Sequence, residues 1–269
     1  VIDFVFHFSK RKTVVRTLPS SWDDLDGALF LKVCAFRLAA SKGDVVAMDE
    51  ALRRLCGLRS GLWRKLSPLR RNEVESCFSW VLFDQPSFPD NKVGDIRVGF
   101  RRLCGFERNF ENVLWEEFMY ADVLFSRGKY DRAVASVYRP VCLFAKGDSR
   151  KPFSVYCLSS SLRRVGRLPD LLLYAVALNW SAVRTHCIVS RYRSLFGGHV
   201  EAWLDGKKIE DDSPKAANAG FSWNSLHLAM LGDSPQSERM LMETKACTVL
   251  AVADRRIREY RDQARRMRK

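Results

Sequence analysis

Residues 115–140 read WEEFMYADVLFSRGKYDRAVASVYRP, and the reading of this stretch decides the fold class. Two runs with apolar residues at helical spacing meet at Arg127-Gly128. Glycine is the residue that most easily takes the left-handed turn ending a helix, so the spacing predicts a helical hairpin with helices over 111–126 and 129–138. One acid, Asp122, shares the apolar face of Trp115 and Phe118. A carboxylate there must find a partner or take up a proton. Arg132 or Arg139 can reach back across the turn. We read Asp122 and Arg139 as a structural ion pair and Tyr138-Arg139-Pro140 as a corner; a perturbed catalytic acid is the alternative.

The same periodicity extends over most of the 269 residues. Ser21-Trp22-Asp23-Asp24 offers a serine cap, with acids in the first turn, for a helix running to about Ala40. Ser41-Lys42-Gly43-Asp44 interrupts it, and a second helix runs from about Val45 to Cys56 before Gly57. A short turn carries Leu62, Trp63 and Leu66, and a helix follows over 69–83. Residues 84–95 form a loop with two prolines and a glycine, and 145–153 form another. Helices are expected at 154–163 and 169–195, the latter apolar nearly all round in its first half and therefore central. Residues 205–220 read as a mobile loop or linker. A short helix at 221–231 and a long final helix capped by Ser237 complete the chain.

Residues 2–8 and 12–17, rich in β-branched and aromatic side chains, predict a β-hairpin or two short strands. The expected fold is mainly α, a multi-helix bundle-like protein with a short N-terminal β-hairpin or strand pair. Its organisation is a β element over 1–18, a helical region over 19–140 and a second helical region over 141–269, or one continuous domain.

Hydrophobic residues make up 47% of the chain and charged residues 28%, enough for a sizeable core and against wholesale disorder. The 45 basic residues exceed the 31 acidic ones, a net charge of +14. That favours nucleic acid, an acidic protein or an anionic surface as partner without choosing among them. The eight cysteines are well separated and form no CxxC pair, and six of them lie in apolar helical surroundings that read as buried thiols in a reducing compartment. No run of about 18 apolar residues occurs, so no membrane span is expected. The apolar start VIDFVFHF is short and carries Asp3 and His7, and it is not read as a signal peptide. A soluble, cytoplasmic protein is the expectation.

Chemistry-bearing motifs are absent. His7, His186, His199 and His227 fall at no metal-ligand spacing, and there is no HExxH, phosphate-binding glycine loop or GxSxG. His186 and Cys187 are adjacent and point about 100° apart on a helix, which does not make a nucleophile–base pair. No cofactor, metal or catalytic residue is assigned.

Two basic stretches stand out. The C-terminal DRRIREYRDQARRMRK contributes Arg255, Arg256, Arg258, Arg261, Arg265, Arg266, Arg268 and Lys269, and RRLCGLRSGLWRKLSPLRR at 53–71 contributes Arg64, Lys65, Arg70 and Arg71. They are candidate contacts to a partner or to phosphates, which would be salt-sensitive and without sequence preference. The bland alternative is a solvated helix end whose cations suit the helix dipole.

Several ordered segments support a resemblance: SWDDL at 21–25; the opening stretch with its central acid and its aliphatic-Tyr-Arg-Pro tetrad at 137–140; DSRKPF at 148–153; LLLYAVALNWSAVRTHCIVSRYRSLF; and FSWNSLHLAML before the last helix. Over residues 18 to 250 the chain resembles poorly characterised proteins from tail and structural gene clusters of phages and prophages of Bacteroidetes bacteria. The resemblance implies a non-enzymatic structural or morphogenesis protein, a tail or neck component or assembly factor. It would contact other phage structural proteins as a homo- or hetero-oligomer in the cytoplasm of the bacterial host, and in the virion if retained there. It carries over no catalytic residues. The high arginine content and the basic tail depart from that group and leave DNA as a further partner. A nucleic-acid-binding virion protein using basic helices is the runner-up, and an enzyme with a dispersed site the third alternative.

Overall fold

The computed structural model describes residues 1–9, 12–142, 148–196, 223–231 and 235–267. The protein is mainly α-helical, with a two-stranded antiparallel sheet near its N-terminus and a small three-stranded sheet. It divides into two compact units. One comprises 1–88, 92–94 and 168–182; the other comprises 89–91, 95–167 and 183–269. The expected loop at 205–220 lies outside the described residues, as do Arg268 and Lys269.

The first unit opens with β1 (Ile2–Ser9) and β2 (Lys12–Leu18), paired antiparallel so that Phe6 faces Val14 and Val5 faces Val15. Strand alternation puts Phe6 into the core and leaves Val5 and Val15 exposed. Helix α1 (Gly27–Ser41) starts later than the Ser21 cap predicts. The Asp24 carboxylate accepts from the backbone N–H groups of Ser20 and Ser21, at 2.8 and 3.1 Å, and holds that segment in a turn. The cap is instead Asp26, which accepts from Leu29 N at 2.7 Å. Asp44 caps α2 (Val45–Leu55) in the same way, and Gly57 closes the helix with φ +61°.

The expected helix over 69–83 is two helices, α4 (Pro68–Cys77) and α5 (Ser79–Phe83), after the short α3 (Ser60–Trp63). The break falls at Phe78, whose fully buried ring packs against Phe36. Trp22 stands edge-on to Trp80 and Phe30, and Phe30 to Phe88, which knits the loops to α1.

The second unit contains β3 (Ile96–Val98), β4 (Arg101–Cys104) and β5 (Arg139–Pro140), antiparallel in that order. No sheet was expected here: three- and four-residue strands rich in arginine carry too little alternation to read. The opening stretch forms the predicted hairpin, α6 (Trp115–Ser126) and α7 (Tyr130–Val137), with Gly128 at φ +68° between them. Helix α6 begins after a 3-10 turn at 108–110, not at 111. Asn109 and Phe110 have positive φ there and interrupt the helical path.

Helix α8 (Leu158–Val165) packs on α7. Helix α9 (Asp170–His186) gives its residues through Ala182 to the first unit and the rest to the second. It ends sooner than 195 in a π-turn, where Tyr192 N donates to Cys187 O at 2.8 Å, before α10 (Arg193–Phe196). The expected final helix is also divided, into α12 (Pro235–Met242) and α13 (Ala246–Met267), after α11 (Trp223–Met230). The backbone at 244–246 turns aside to pair with 113–115: Trp115 N donates to Thr244 O, and Ala246 N to Val113 O, each at 2.8 Å. Trp115, Phe118 and Trp223 form the aromatic centre of this unit, with ring centroids 5.0 to 5.9 Å apart.

Candidate functional site

The most concentrated chemistry lies at the start of α6. Glu117 is the third residue of that helix and has no solvent exposure. Its carboxylate accepts from Arg150 Nη1 at 2.7 Å and Nη2 at 3.3 Å, a bidentate fork, and stands 3.2 Å from Arg139 Nη1. Asp148 bridges the same two cations, 2.9 Å from Arg150 Nη2 and 3.5 Å from Arg139 Nη2. Arg150 also donates to the backbone carbonyls of Val137 and Asn112.

Local backbone pairing brings these groups together. Strand β5 places Arg139 opposite Cys104. Val141 then bridges to Arg150, Cys142 N donates to Ser149 O at 2.7 Å, and Lys151 N donates to Pro140 O at 2.9 Å. The two arginines therefore leave adjacent antiparallel backbones and converge on one carboxylate.

The four charges balance. Burial pushes the Glu117 carboxyl up, and the Arg150 and Arg139 guanidiniums pull against that push. Burial also works against the Arg150 charge, but Glu117 and Asp148 outweigh it and hold the side chain more firmly protonated. Arg139 is shifted down by burial, and its Nε has no hydrogen-bond acceptor among the described residues. A cavity of about 650 Å³ adjoins the cluster, with Arg139, Asp148, Arg150, Phe153 and Lys245 in its wall. Arg139 and Arg150 already face Asp148 and the underlying Glu117, so an anion entering beside them competes with internal partners.

Asp122 and Arg139 each sit in an ion pair, but not with one another. Asp122 pairs with Arg184 at 2.9 Å and accepts from Trp223 Nε1 at 2.6 Å. Glu117 and Asp122 lie five positions apart, about 140° around the helix, so a side chain that meets one is turned away from the other. Arg132 is exposed. The sequence reading missed Glu117, Asp148 and Arg150. The available signal was Glu117 three residues after Leu114, the box position at a helix start, together with the acid–base alternation of DSRKPF.

The basic stretches are partly neutralised internally. Arg70 pairs with Glu73 at 2.5 Å, and Arg71 lies 3.6 Å from Asp49 and over the Trp63 ring. Arg53 and Arg54 both grip Glu50, whose carboxyl their hydrogen bonds pull down to about 2. Arg64 and Lys65 are exposed. On α13, Val249, Leu250, Ala253 and Ile257 face inward. Arg258 pairs with the buried Asp254 at 2.7 Å, Arg255 approaches Glu259 at 3.9 Å, and Arg256 lies against Met230 Sδ. Arg261 is half-buried, while Arg265 and Arg266 are exposed.

The seven cysteines whose side chains are described are free thiols. Burial raises the Cys34 thiol and pushes those of Cys56 and Cys187 up to about 12, the opposite of an activated nucleophile. Among the described residues no three His, Cys, Asp or Glu side chains are grouped to hold a metal ion, and no helix is long and apolar enough to cross a membrane.

Fold and site together define a mainly α protein with a buried, charge-balanced clamp. No known protein family, curated protein or solved structure matches the chain.

Proposed function

We propose that this protein is a non-catalytic structural or assembly protein that acts by contact with other proteins. The observation that supports this reading is the partnering of the buried charges. Glu117, Asp148 and Arg150 direct their polar atoms at one another, at Arg139 and at backbone carbonyls, which suits a clamp on the fold more than a poised acid or base. The contact elements are the β1–β2 hairpin and α13. Among the described residues neither outer edge of the hairpin is paired, and such an edge can add to a partner's sheet.

The ordered motifs that resemble phage tail and structural cluster proteins supply the setting. The partners are other phage structural proteins in a homo- or hetero-oligomer, and the place is the cytoplasm of the bacterial host during assembly. A virion-associated nucleic-acid-binding role is the second reading, favoured by the exposed Arg64, Lys65 and Arg266. Deleting the gene in its phage or prophage tests the proposal: tailed particles should fail to form and return on complementation. Normal particle yield and morphology without the gene would overturn it.

A further inference from the structure

Strands β3 and β4 make a short hairpin whose tip serves no visible purpose in the fold. Val98 pairs with Arg101, so the loop is only Gly99-Phe100. Gly99 has φ +59° at the first loop position, the backbone a tight two-residue hairpin turn demands there. The base is fixed: Ile96 and Leu103, paired across the strands, are buried, and β4 is held on its other side by β5. The tip is bare. Phe100 is fully exposed, with the largest relative exposure of any large hydrophobic residue in the described chain.

Three arginines stand on the strands that carry that ring, Arg97 and Arg102 on one face and Arg101 on the other. Arg97 and Arg102 stand directly opposite each other across the strands, an arrangement of like charges that destabilises a hairpin. Arg102 is relieved by Asp95, to which its Nε donates at 2.6 Å. Arg97 and Arg101 are exposed, with no acidic partner among the described residues. A single exposed apolar side chain is ordinary on a protein surface. An exposed ring at the tip of a hairpin with a fixed base, beside a cross-strand pair of arginines, is not explained by stability.

We propose that the Ile96–Cys104 hairpin is a finger for single-stranded nucleic acid, with Phe100 stacking on a base and Arg97 and Arg101 contacting the flanking phosphates. The cations call for a polyanion, and the ring calls for one that offers flat apolar faces. Nucleic acid combines the two; an acidic peptide supplies only the charge. Single strands fit better than duplex. A wedge into duplex must first unstack a base step, and two arginines supply few phosphate contacts to offset that. The bases of a single strand are already available, and stacking on an aromatic tolerates any sequence. This site is separate from the basic segments singled out in the sequence, and it stands whether or not the protein is part of a particle.

The test uses the purified full-length chain and no partner. Fluorescence anisotropy with a labelled oligothymidylate and with a duplex of equal length compares the unaltered protein, Phe100→Ala and the double variant Arg97→Gln/Arg101→Gln across a salt series. Melting curves confirm that both variants fold. Phe100→Ala should weaken single-strand binding by about tenfold with an unchanged salt dependence. The double arginine variant should flatten the slope of log affinity against log salt by about 1.4. Tighter binding to duplex, absence of single-strand binding at low salt, or an affinity indifferent to Phe100→Ala would each overturn the proposal.

Discussion

Replacing Glu117 with Gln probes the buried clamp most sharply. The substitution keeps the shape and one acceptor oxygen but removes one of two negative charges. Arg150 has no side-chain exposure and Arg139 only 5%, so neither guanidinium can turn to water. Breaking a buried pair by removing one partner costs about 3–5 kcal/mol, because a charge is left uncompensated. Asp148, 30% exposed, still touches both arginines and places the expected loss near the lower end, about 3 kcal/mol. At about 2–4 °C per kcal/mol for a domain of this size, the transition should fall by about 6–12 °C. Calorimetry and urea unfolding at neutral pH read this directly. In a double-mutant cycle, Arg150→Met should cost less in the Glu117→Leu background than alone, since an apolar replacement of both partners leaves no orphaned charge. A melting temperature for Glu117→Gln within about 1 °C of the parent, on the same scale, would refute the reasoning.

Other sites give graded expectations. Asp122→Ala removes the partner of Arg184 and the acceptor of Trp223 Nε1, but Arg184 is 37% exposed and can reach water. Its cost should be about 1–3 kcal/mol, below that of Glu117→Gln, and the reverse order in thermal melts would contradict the assignment. A Cβ at Gly105 would lie 2.7 Å from Asn91 Nδ2 and from the Tyr138 ring, so Gly105→Ala should destabilise by about 1–3 kcal/mol by overpacking. A neutral result in the same assay would show that the contact relaxes freely. Cys56 and Cys187 retain their protons in the fold, with thiols near 12 against an ordinary 9.0. Their contribution is therefore full below about pH 9 and is lost as pH rises toward 12. In native protein near pH 8 both thiols should resist alkylation until denaturant is added, and mass spectrometry showing their prompt labelling would refute this.

The parts of the fold that were legible are those where local signals agree. In α1, α2 and the α6–α7 hairpin, apolar residues recur at helical spacing and a glycine at positive φ marks each stop, as at Gly43, Gly57 and Gly128. Helix breaks were legible only where a breaker residue stands at them. Phe78 and Tyr192 interrupt helices because of what they pack against or bond to: Phe36 for one, and the Cys247 carbonyl for the other. The small sheet escaped notice because its strands owe their pairing to one another and not to their own alternation. The charge clamp shows the same division. Periodicity put Asp122 on an inward face, and burial duly demanded a partner. Which arginine answers depends on chain segments 62 residues away for Arg184 and 33 away for the Arg150–Glu117 pair, distances over which no local pattern speaks.

The measurement that bears most directly on the central claim is recovery of the tagged protein from its native source, with and without nuclease, at low and high salt, followed by identification of what accompanies it. An apolar or strand-addition interface survives both treatments, whereas phosphate contacts weaken steeply with salt. Partner proteins that persist through nuclease and high salt are the predicted result. Recovery of nucleic acid alone, lost with nuclease or salt and leaving no protein partner, would contradict it and make the basic surfaces the seat of function.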